Sequence, residues 1–481
     1  MGSQVITWGS SFLLMLFLPR YLGSEEYGRL YLAMSITAIF QVFIEFGGFF
    51  YITKYVARDR EKTPYIVSDI ETLRFLLWSV SLVLIAGFLA VAGYPRSVNL
   101  LVAIFGISKL WETLTSLIQR CFQGVEVMQY SAVGNIAERV FVSIACITAL
   151  FLGAPIVVIG LLMAVSTLLN YLISRKFLPK IIQFKPKADR GRIKLILKES
   201  MPYFLWTLFG IIYYRIDAVM LSFLAPAVVV GWYGAAYRFF DIVMFLPNIF
   251  NMAVFPVFSR LWATEDKILA RTSKKAIDFI LLMGIPISIG LIVFARDLVA
   301  LFYGIEQYGP TADLLKIFSI GILLVYIDFI ILPLLIASDQ QRRATLFGFY
   351  AMLLNPLLNW FLIPYFQTNY GNGGIGATIA TLLTEFFILS CMLVSLPKNA
   401  FAENSFSVLI KGILAGGCMV GCIILLKNLG LFWIANGLIA TLVYFGIVIL
   451  IRAVEPDELR LVLQTLKFWG RNKLAPAPVE G

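Results

Sequence analysis

Fourteen apolar runs separated by short polar breaks fill almost the whole of this sequence, at 5–20, 29–53, 74–94, 99–120, 131–152, 155–177, 201–224, 231–258, 276–302, 314–337, 346–366, 374–396, 406–426 and 430–451. About 20 apolar residues suffice for one helix to cross the hydrocarbon core of a bilayer. Composition agrees: 60% of the 481 residues are hydrophobic and 14% charged, against about 45–50% and 25% in soluble proteins. A soluble globular enzyme is excluded, and the predicted fold is an all-α polytopic membrane protein of about 14 transmembrane helices.

The break between the fifth and sixth runs is the weakest, resting on Gly153-Ala154-Pro155 alone. The alternation of Lys and Arg between odd and even loops tests the count, because a wrong number of spans would scramble it. Loops assigned outside hold Arg20, Arg96 and Lys427. Those assigned inside hold 29, including Lys54, Arg58, Arg60, Lys62 and Arg74, nine between Arg175 and Lys198, Lys398, and the tail residues Arg460, Lys467, Arg471 and Lys473. The expectation is a multi-pass protein of the cytoplasmic membrane with both termini cytoplasmic. The net charge of +11 therefore faces lipid headgroups rather than nucleic acid. No cleavable signal peptide is apparent before the first run, and Met1-Gly2-Ser3 leaves room for a natural start further upstream.

Without a single histidine, a zinc site of the common Cys/His kind is not available. Cys121, Cys146, Cys391, Cys418 and Cys422 read as small buried apolar side chains, and no metal or other cofactor is expected apart from a coupling H⁺ or Na⁺.

Residues 178–200, basic and moderately apolar, suit a linker or interfacial helix between two lobes. The expected layout is an N-terminal lobe at 1–177, a C-terminal lobe at 201–397, two additional spans at 398–452 and a cytoplasmic tail at 453–481. A repeat supports a parallel six-plus-six arrangement: Tyr27-Gly28-Arg29-Leu30-Tyr31-Leu32-Ala33 can be laid on Val230-Gly231-Trp232-Tyr233-Gly234-Ala235-Ala236, so that Gly28 meets Gly231.

Pro19-Arg20-Tyr21-Leu22-Gly23-Ser24-Glu25-Glu26-Tyr27-Gly28, Glu45-Phe46-Gly47, Tyr214-Arg215-Ile216-Asp217, Val230-Gly231-Trp232-Tyr233-Gly234-Ala235-Ala236-Tyr237-Arg238 and Gly373-Gly374-Ile375-Gly376-Ala377-Thr378-Ile379-Ala380-Thr381 resemble the Wzx-type polysaccharide flippases of the multidrug/oligosaccharidyl-lipid/polysaccharide exporter superfamily. The resemblance implies export of a polyprenyl-pyrophosphate-linked oligosaccharide to the outer leaflet by alternating access, through a cation-lined cavity and with H⁺ or Na⁺ coupling. Membrane lipids and other polysaccharide-assembly proteins would be its partners. The short N-terminus departs from the family pattern.

Charges at membrane depth are costly and mark function by default. Arg29, Lys109, Arg238 and Lys316 each have an acid on the same helical face, at Glu25 and Glu26, Glu112, Asp241 and Asp313, and Arg296 lies near a helix end. Arg139 and Arg215 have neither. They are candidates for a pyrophosphate or anionic-sugar site, the guanidinium being suited to bidentate recognition, or else for ion pairs with acids on neighbouring helices. Arg20, in the family's Arg-x-Leu-Gly motif, Arg238 and Lys109 complete the candidate substrate residues. Glu45, Glu138, Asp217, Asp328 and Glu385 lack a same-face base and are candidates for ion coupling, Asp217 and Glu45 first. Pro247, Pro256, Pro286, Pro333, Pro356 and Pro364 are candidate hinges.

An ATP-driven pump is excluded, for there is neither a GxxxxGK[ST] loop nor a soluble domain to hold one. Alternatives are a peptidoglycan-precursor flippase, a drug or cation antiporter of the same superfamily, and a membrane-embedded glycosyltransferase or polymerase.

Overall fold

The computed structural model describes residues 2–48, 52, 56, 63–181, 188–264, 266–397 and 407–454. Among these residues the chain is helical throughout, with no strand. Lipid offers no partner for backbone N–H and C=O groups, so a crossing segment must satisfy them within itself. The helices are α1 (Gly2–Glu45), α2 (Thr63–Ala92), α3 (Arg96–Gly124), α4 (Gln129–Phe151), α5 (Ile156–Phe177), α6 (Arg190–Leu224), α7 (Ala227–Val243), α8 (Phe245–Thr264), α9 (Asp266–Val293), α10 (Ala295–Phe302), α11 (Ile305–Tyr308), α12 (Thr311–Ala337), α13 (Gln341–Tyr370), α14 (Gly373–Ser395), α15 (Ser407–Asn428) and α16 (Trp433–Leu450).

Among the described residues, thirteen helical segments are long and apolar enough to cross a membrane. The first, Gly9–Glu45, would measure about 55 Å if straight, nearly twice a hydrocarbon core. It is broken at Gly23, whose φ of 76° and ψ of 166° interrupt the helix. Its two stretches hold the first two apolar runs, so the fourteen runs are all accounted for. The weak break at 153–155 is real, since α4 stops at Phe151 and α5 starts behind Pro155.

Several boundaries differ from expectation. The run at 29–53 stops being α1 at Glu45, where Phe46 and Gly47 take positive φ. A Cβ on Gly47 would stand 2.5 Å from the backbone nitrogen of Phe204, so the turn is pressed onto α6. The run at 276–302 is divided between α9 and α10, and residues 190–200 are the first turns of α6 itself. Arg74, expected in a loop, lies in α2 with 1% exposure, and its guanidinium donates to the carbonyl of Thr113. Only Cys121 and Cys146 of the five cysteines are buried, Cys418 being exposed. Lys54, Arg58, Arg60, Lys62, Lys185, Lys187, Lys398, Arg460, Lys467, Arg471 and Lys473 lie outside the described residues, as does most of the 453–481 tail.

The helices gather into two compact units. The first comprises residues 1–242, 295–318 and 340–394. In it α1 packs on α3, α4 and α6, α5 on α3 and α4, and α13 on α6. Ile70, Leu117, Ile118, Cys121, Phe122 and Leu178 form an apolar core toward one end. The second unit comprises residues 243–294, 319–339 and 395–481, where α9 packs on α8 and α15, and α15 on α16. With lipid outside, helices associate through close packing and interhelical hydrogen bonds rather than through water exclusion. Gly412 and Gly416 accordingly admit Ile285 and Ile289, and the buried Asn436 donates to the carbonyl of Ile423 at 3.0 Å.

Large apolar side chains stand fully exposed along the helices, among them Val83, Val91, Leu152, Leu442 and Leu450. Their abundance is that of a surface facing lipid rather than water.

Candidate functional site

Four helices of the first unit turn polar stripes inward. On α3, Ser108, Lys109, Glu112, Thr115, Ser116 and Gln119 recur at three- and four-residue steps; on α4, Asn135, Glu138 and Arg139; on α5, Ser166, Thr167 and Asn170; on α1, Tyr31, Thr37 and Gln41. Such spacing places side chains on one face of a helix. The stripes enclose a cavity of about 560 Å³, completed by Arg215 of α6 and Arg238 of α7. Five of the ten singled-out residues, Lys109, Glu138, Arg139, Arg215 and Arg238, thus line one space, although they come from four helices.

The cations of this cavity are of two kinds. Lys109 is neutralised, its Nζ 2.6 Å from Glu112 Oε2. Among the described residues, Arg139, Arg215 and Arg238 have no carboxylate within 4.0 Å. For Arg238 this corrects the expectation of a pair with Asp241: the Asp241 carboxylate accepts from the Tyr214 hydroxyl, and Arg238 Nε donates to Tyr27 Oη at 3.2 Å. Arg215 Nη1 lies 3.4 Å from Tyr31 Oη, and its guanidinium packs over the rings of Tyr31 and Tyr214 at 5.9 and 4.9 Å. Its buried Nε has no acceptor. Leaving such a donor unsatisfied costs about 1–3 kcal/mol.

Arg20 is exposed and donates to the carbonyl of Leu301 at 3.1 Å, and it is not among the residues lining the cavity. The remaining same-face pairs form as expected. Arg29 meets Glu25 at 2.5 Å and also Glu26, and Lys316 meets Asp313 at 2.9 Å.

Among the described residues no acid comes within 4.0 Å of Arg139, Arg215 or Arg238. Glu138 Oε2 accepts from Asn170 Nδ2 at 2.6 Å. Gln41 Nε2 reaches both Glu45 Oε1, at 3.2 Å, and Glu112 Oε1, at 3.1 Å. Glu385 Oε1 accepts from Tyr213 Oη at 2.6 Å. Asp328 is buried within α12, in the second unit. Among the described residues, cross-helix ion pairs for Arg139 and Arg215, the alternative left open by the sequence, are therefore not formed.

Asp217 has surroundings of another sort. It is 1% exposed and enclosed by neutral groups from three further helices. Tyr233 Oη of α7 and Thr381 Oγ1 of α14 donate to its Oδ2 at 2.6 and 2.8 Å, and Asn359 Nδ2 of α13 donates to its Oδ1 at 2.5 Å. Asn359 also bonds Asn355 Oδ1 at 2.8 Å. Two polar atoms in this nest, Asn359 Oδ1 and Asn355 Nδ2, are buried without a partner.

Tyr233 and Thr381 stand in motifs quoted from the sequence, with no role assigned to them there, and Asn355, Asn359, Gln119, Asn135 and Asn170 were not singled out at all. Counting only charged residues at membrane depth passes over amides. Asn355 and Asn359 sit four apart inside an apolar run, and that spacing alone would have put both on one buried face.

The profile of the family described as polysaccharide biosynthesis proteins matches residues 1–262, and the MatE family profile matches residues 202–361. A curated relative, the probable flippase AglR of Haloferax volcanii, is 27% identical over 220 residues. That match covers 45% of this chain and 44% of the relative, so it spans under half of either. Among solved structures, the lipid II flippase MurJ in an inward closed conformation superposes with a TM-score of 0.75 at 18% identity, over 94% of this chain and 98% of that one. An inward-facing multidrug resistance MATE family transporter of the MOP superfamily gives 0.66 at 13% identity, over 80% and 95%. At these identities the likeness is one of fold.

Proposed function

This chain belongs to the polysaccharide biosynthesis protein family, within the multidrug/oligosaccharidyl-lipid/polysaccharide exporter superfamily, and on that premise we propose that it carries a polyprenyl-pyrophosphate-linked oligosaccharide from the cytoplasmic to the outer leaflet by alternating access. The carrying observation is the convergence on one cavity of three arginines, Arg139, Arg215 and Arg238, that among the described residues have no carboxylate within ion-pair distance. Each sugar hydroxyl costs roughly 4–8 kcal/mol to strip of water without replacement, and a pyrophosphate costs more. A polar cavity in a bundle whose outer surface is apolar answers that need. Arg215, stacked on two tyrosines with its Nε unsatisfied, is the fixed point of the headgroup site, and Arg139 and Arg238 close on it from α4 and α7.

The Asp217 nest supports coupling to a monovalent cation. Its polar set is one carboxylate, two carboxamides and two hydroxyls, hard oxygens of the kind that Na⁺ or a proton takes. The two unpartnered amide atoms are groups that would reorganise around such an ion. Asp217 would hold the charge, with Asn355, Asn359 and Thr381 completing the shell. The expected cellular setting is the cytoplasmic membrane, with both termini on the cytoplasmic side and polysaccharide-assembly proteins as neighbours.

The test is translocation of a polyprenyl-pyrophosphate oligosaccharide in proteoliposomes, with wild-type protein and a folded Arg139→Ala/Arg215→Ala variant. Flipping by the wild type that is lost in the variant is the expected result. Flipping that survives the double substitution would remove the arginines from the substrate site. Absence of flipping by the wild type across several such lipids would favour a drug or cation antiporter.

A further inference from the structure

The cavity has a second wall, chemically unlike the first. On α3, α4 and α5 a neutral network holds one carboxylate in place. Asn170 gives one N–H to Glu138 Oε2 at 2.6 Å and the other to Asn135 Oδ1 at 3.1 Å. Gln119 Nε2 donates to the same Asn135 oxygen at 2.8 Å, and Ser174 Oγ donates to Asn170 Oδ1 at 3.2 Å. Gly134 makes room for this: a Cβ there would stand 2.3 Å from Asn170 Oδ1.

The network consumes the atoms that face the helices and leaves those that face the cavity. Asn135 Nδ2 keeps both N–H groups, while Glu138 Oε1 and Gln119 Oε1 keep their lone pairs. None of these three atoms is buried without a partner, and all three residues line the cavity. A fixed alternation of donors and acceptors, with one carboxylate in it, complements groups that donate and accept at once. Vicinal hydroxyls do so, and so does an acetamido group, whose carbonyl would accept from Asn135 while its N–H donates to Glu138. It is poorly matched to a sugar carboxylate, which would meet Glu138 as a like charge.

We propose that Gln119, Asn135 and Glu138, braced by Asn170, form the subsite that reads the sugar end of the substrate, and that they select a neutral hydroxyl- or acetamido-bearing sugar. This rests on the flippase reading above and assigns the two ends of the substrate to two walls: diphosphate to the arginines from α4, α6 and α7, sugar to the amides from α3, α4 and α5.

The experiment measures the Kd of the purified full-length protein for polyprenyl diphosphate and for polyprenyl diphosphate bearing one N-acetylglucosamine. Its readout is the ratio of the two. Wild-type protein is expected to prefer the sugar-bearing lipid. Glu138→Gln and Asn135→Asp, each nearly isosteric, are expected to cut that preference about ten-fold or more, the scale of a lost hydrogen bond to a charged group. Arg215→Gln should weaken both lipids and leave the ratio standing. Should Glu138→Gln fail to fold, Asn135→Asp carries the test alone, since its Oδ1 still serves Gln119 and Asn170. A ratio near one in the wild type, or a ratio unchanged in a folded variant, overturns the assignment. Failure of the wild type to bind either lipid would instead count against the flippase reading.

Discussion

Gly28 and Gly231 face one another reciprocally. A Cβ on Gly28 would stand 2.1 Å from the carbonyl oxygen of Ala227, and one on Gly231 would stand 1.9 Å from that of Ser24. Each glycine thus meets the residue four before the other. The shift that lays Gly28 on Gly231 in the sequence repeat also lays Ser24 on Ala227, so the two repeats touch through equivalent backbone atoms. Small residues allow such an approach between helices in lipid.

Either glycine replaced by alanine has backbone, not a flexible side chain, in its way. Gly28→Ala and Gly231→Ala are each expected to destabilise by at least the roughly 1–3 kcal/mol of an overpacked core, read as a fall in melting temperature of the detergent-solubilised protein. Gly87→Ala, where an added Cβ meets nothing within 4 Å, should be neutral or slightly stabilising, because alanine is the better helix former. Equal effects at all three positions would contradict the close crossing.

Asp217→Asn preserves shape while removing charge. A folded Asp217→Asn protein is expected to lose the dependence of transport on the coupling cation, together with any cation-induced rise in melting temperature. For the wild type that rise corresponds to about 2.7 kcal/mol when the cation is at 100 times its Kd. If the variant fails to express while Asp217→Glu behaves normally, the carboxylate serves structure and the coupling assignment falls.

Arg215→Lys keeps charge and loses the planar fork. Lysine cannot reproduce a bidentate contact with a diphosphate or the stacking over Tyr31 and Tyr214, so affinity for polyprenyl diphosphate should drop about ten-fold, consistent with 1.5–3 kcal/mol for a charged hydrogen bond. Arg296→Lys, at an exposed position early in α10, should leave it as in the wild type. A full-strength Arg215→Lys protein would mean that only net charge matters there.

The start of α6 is tied to α2 through an asymmetric ion pair. Asp69 is fully buried and Arg192 is 41% exposed, with Nε at 2.5 Å from the carboxylate; the backbone nitrogen of Asp189 donates to the same group at 2.8 Å. Removing Arg192 strands a buried charge, whereas Asp69→Asn strands an arginine that water can reach. Arg192→Ala is therefore expected to lower the melting temperature more than Asp69→Asn does, by less than the roughly 3–5 kcal/mol for breaking a fully buried pair from one side, because water screens the half-exposed Arg192. The reverse order would place the main role of Asp69 in holding the Asp189 backbone.

The helical layout was legible because hydrocarbon leaves a spanning segment few choices, so run length and the Gly and Pro between runs carry most of the information. The boundary at Glu45 was not legible, since what ends α1 is the packing of Gly47 on Ser200, Tyr203 and Phe204 of α6, far away in the chain. Arg139 and Arg215 stood out because charge in lipid demands an explanation. Arg238 is harder to read, because the geometry of a helix face offers Asp241 but cannot reveal that Tyr214, on another helix, takes it first. The neutral partners of Asp217 were invisible for the same reason: their meaning lies in what three helices bring together.

Arg215 and Asp217 stand two residues apart on α6, which turns them roughly 200° from one another around the helix axis. One looks onto the cavity, the other into the nest of Tyr233, Asn359 and Thr381. An anion held on one flank and a cation held on the other, as proposed above, would occupy separate seats, so exchange by direct displacement would be closed to them. Linkage between the two would run through α6, which carries both residues, and through α7, which gives Arg238 to the cavity and Tyr233 to the nest, and such linkage is mutual: whatever cargo does to ion affinity, the ion does to cargo in equal measure.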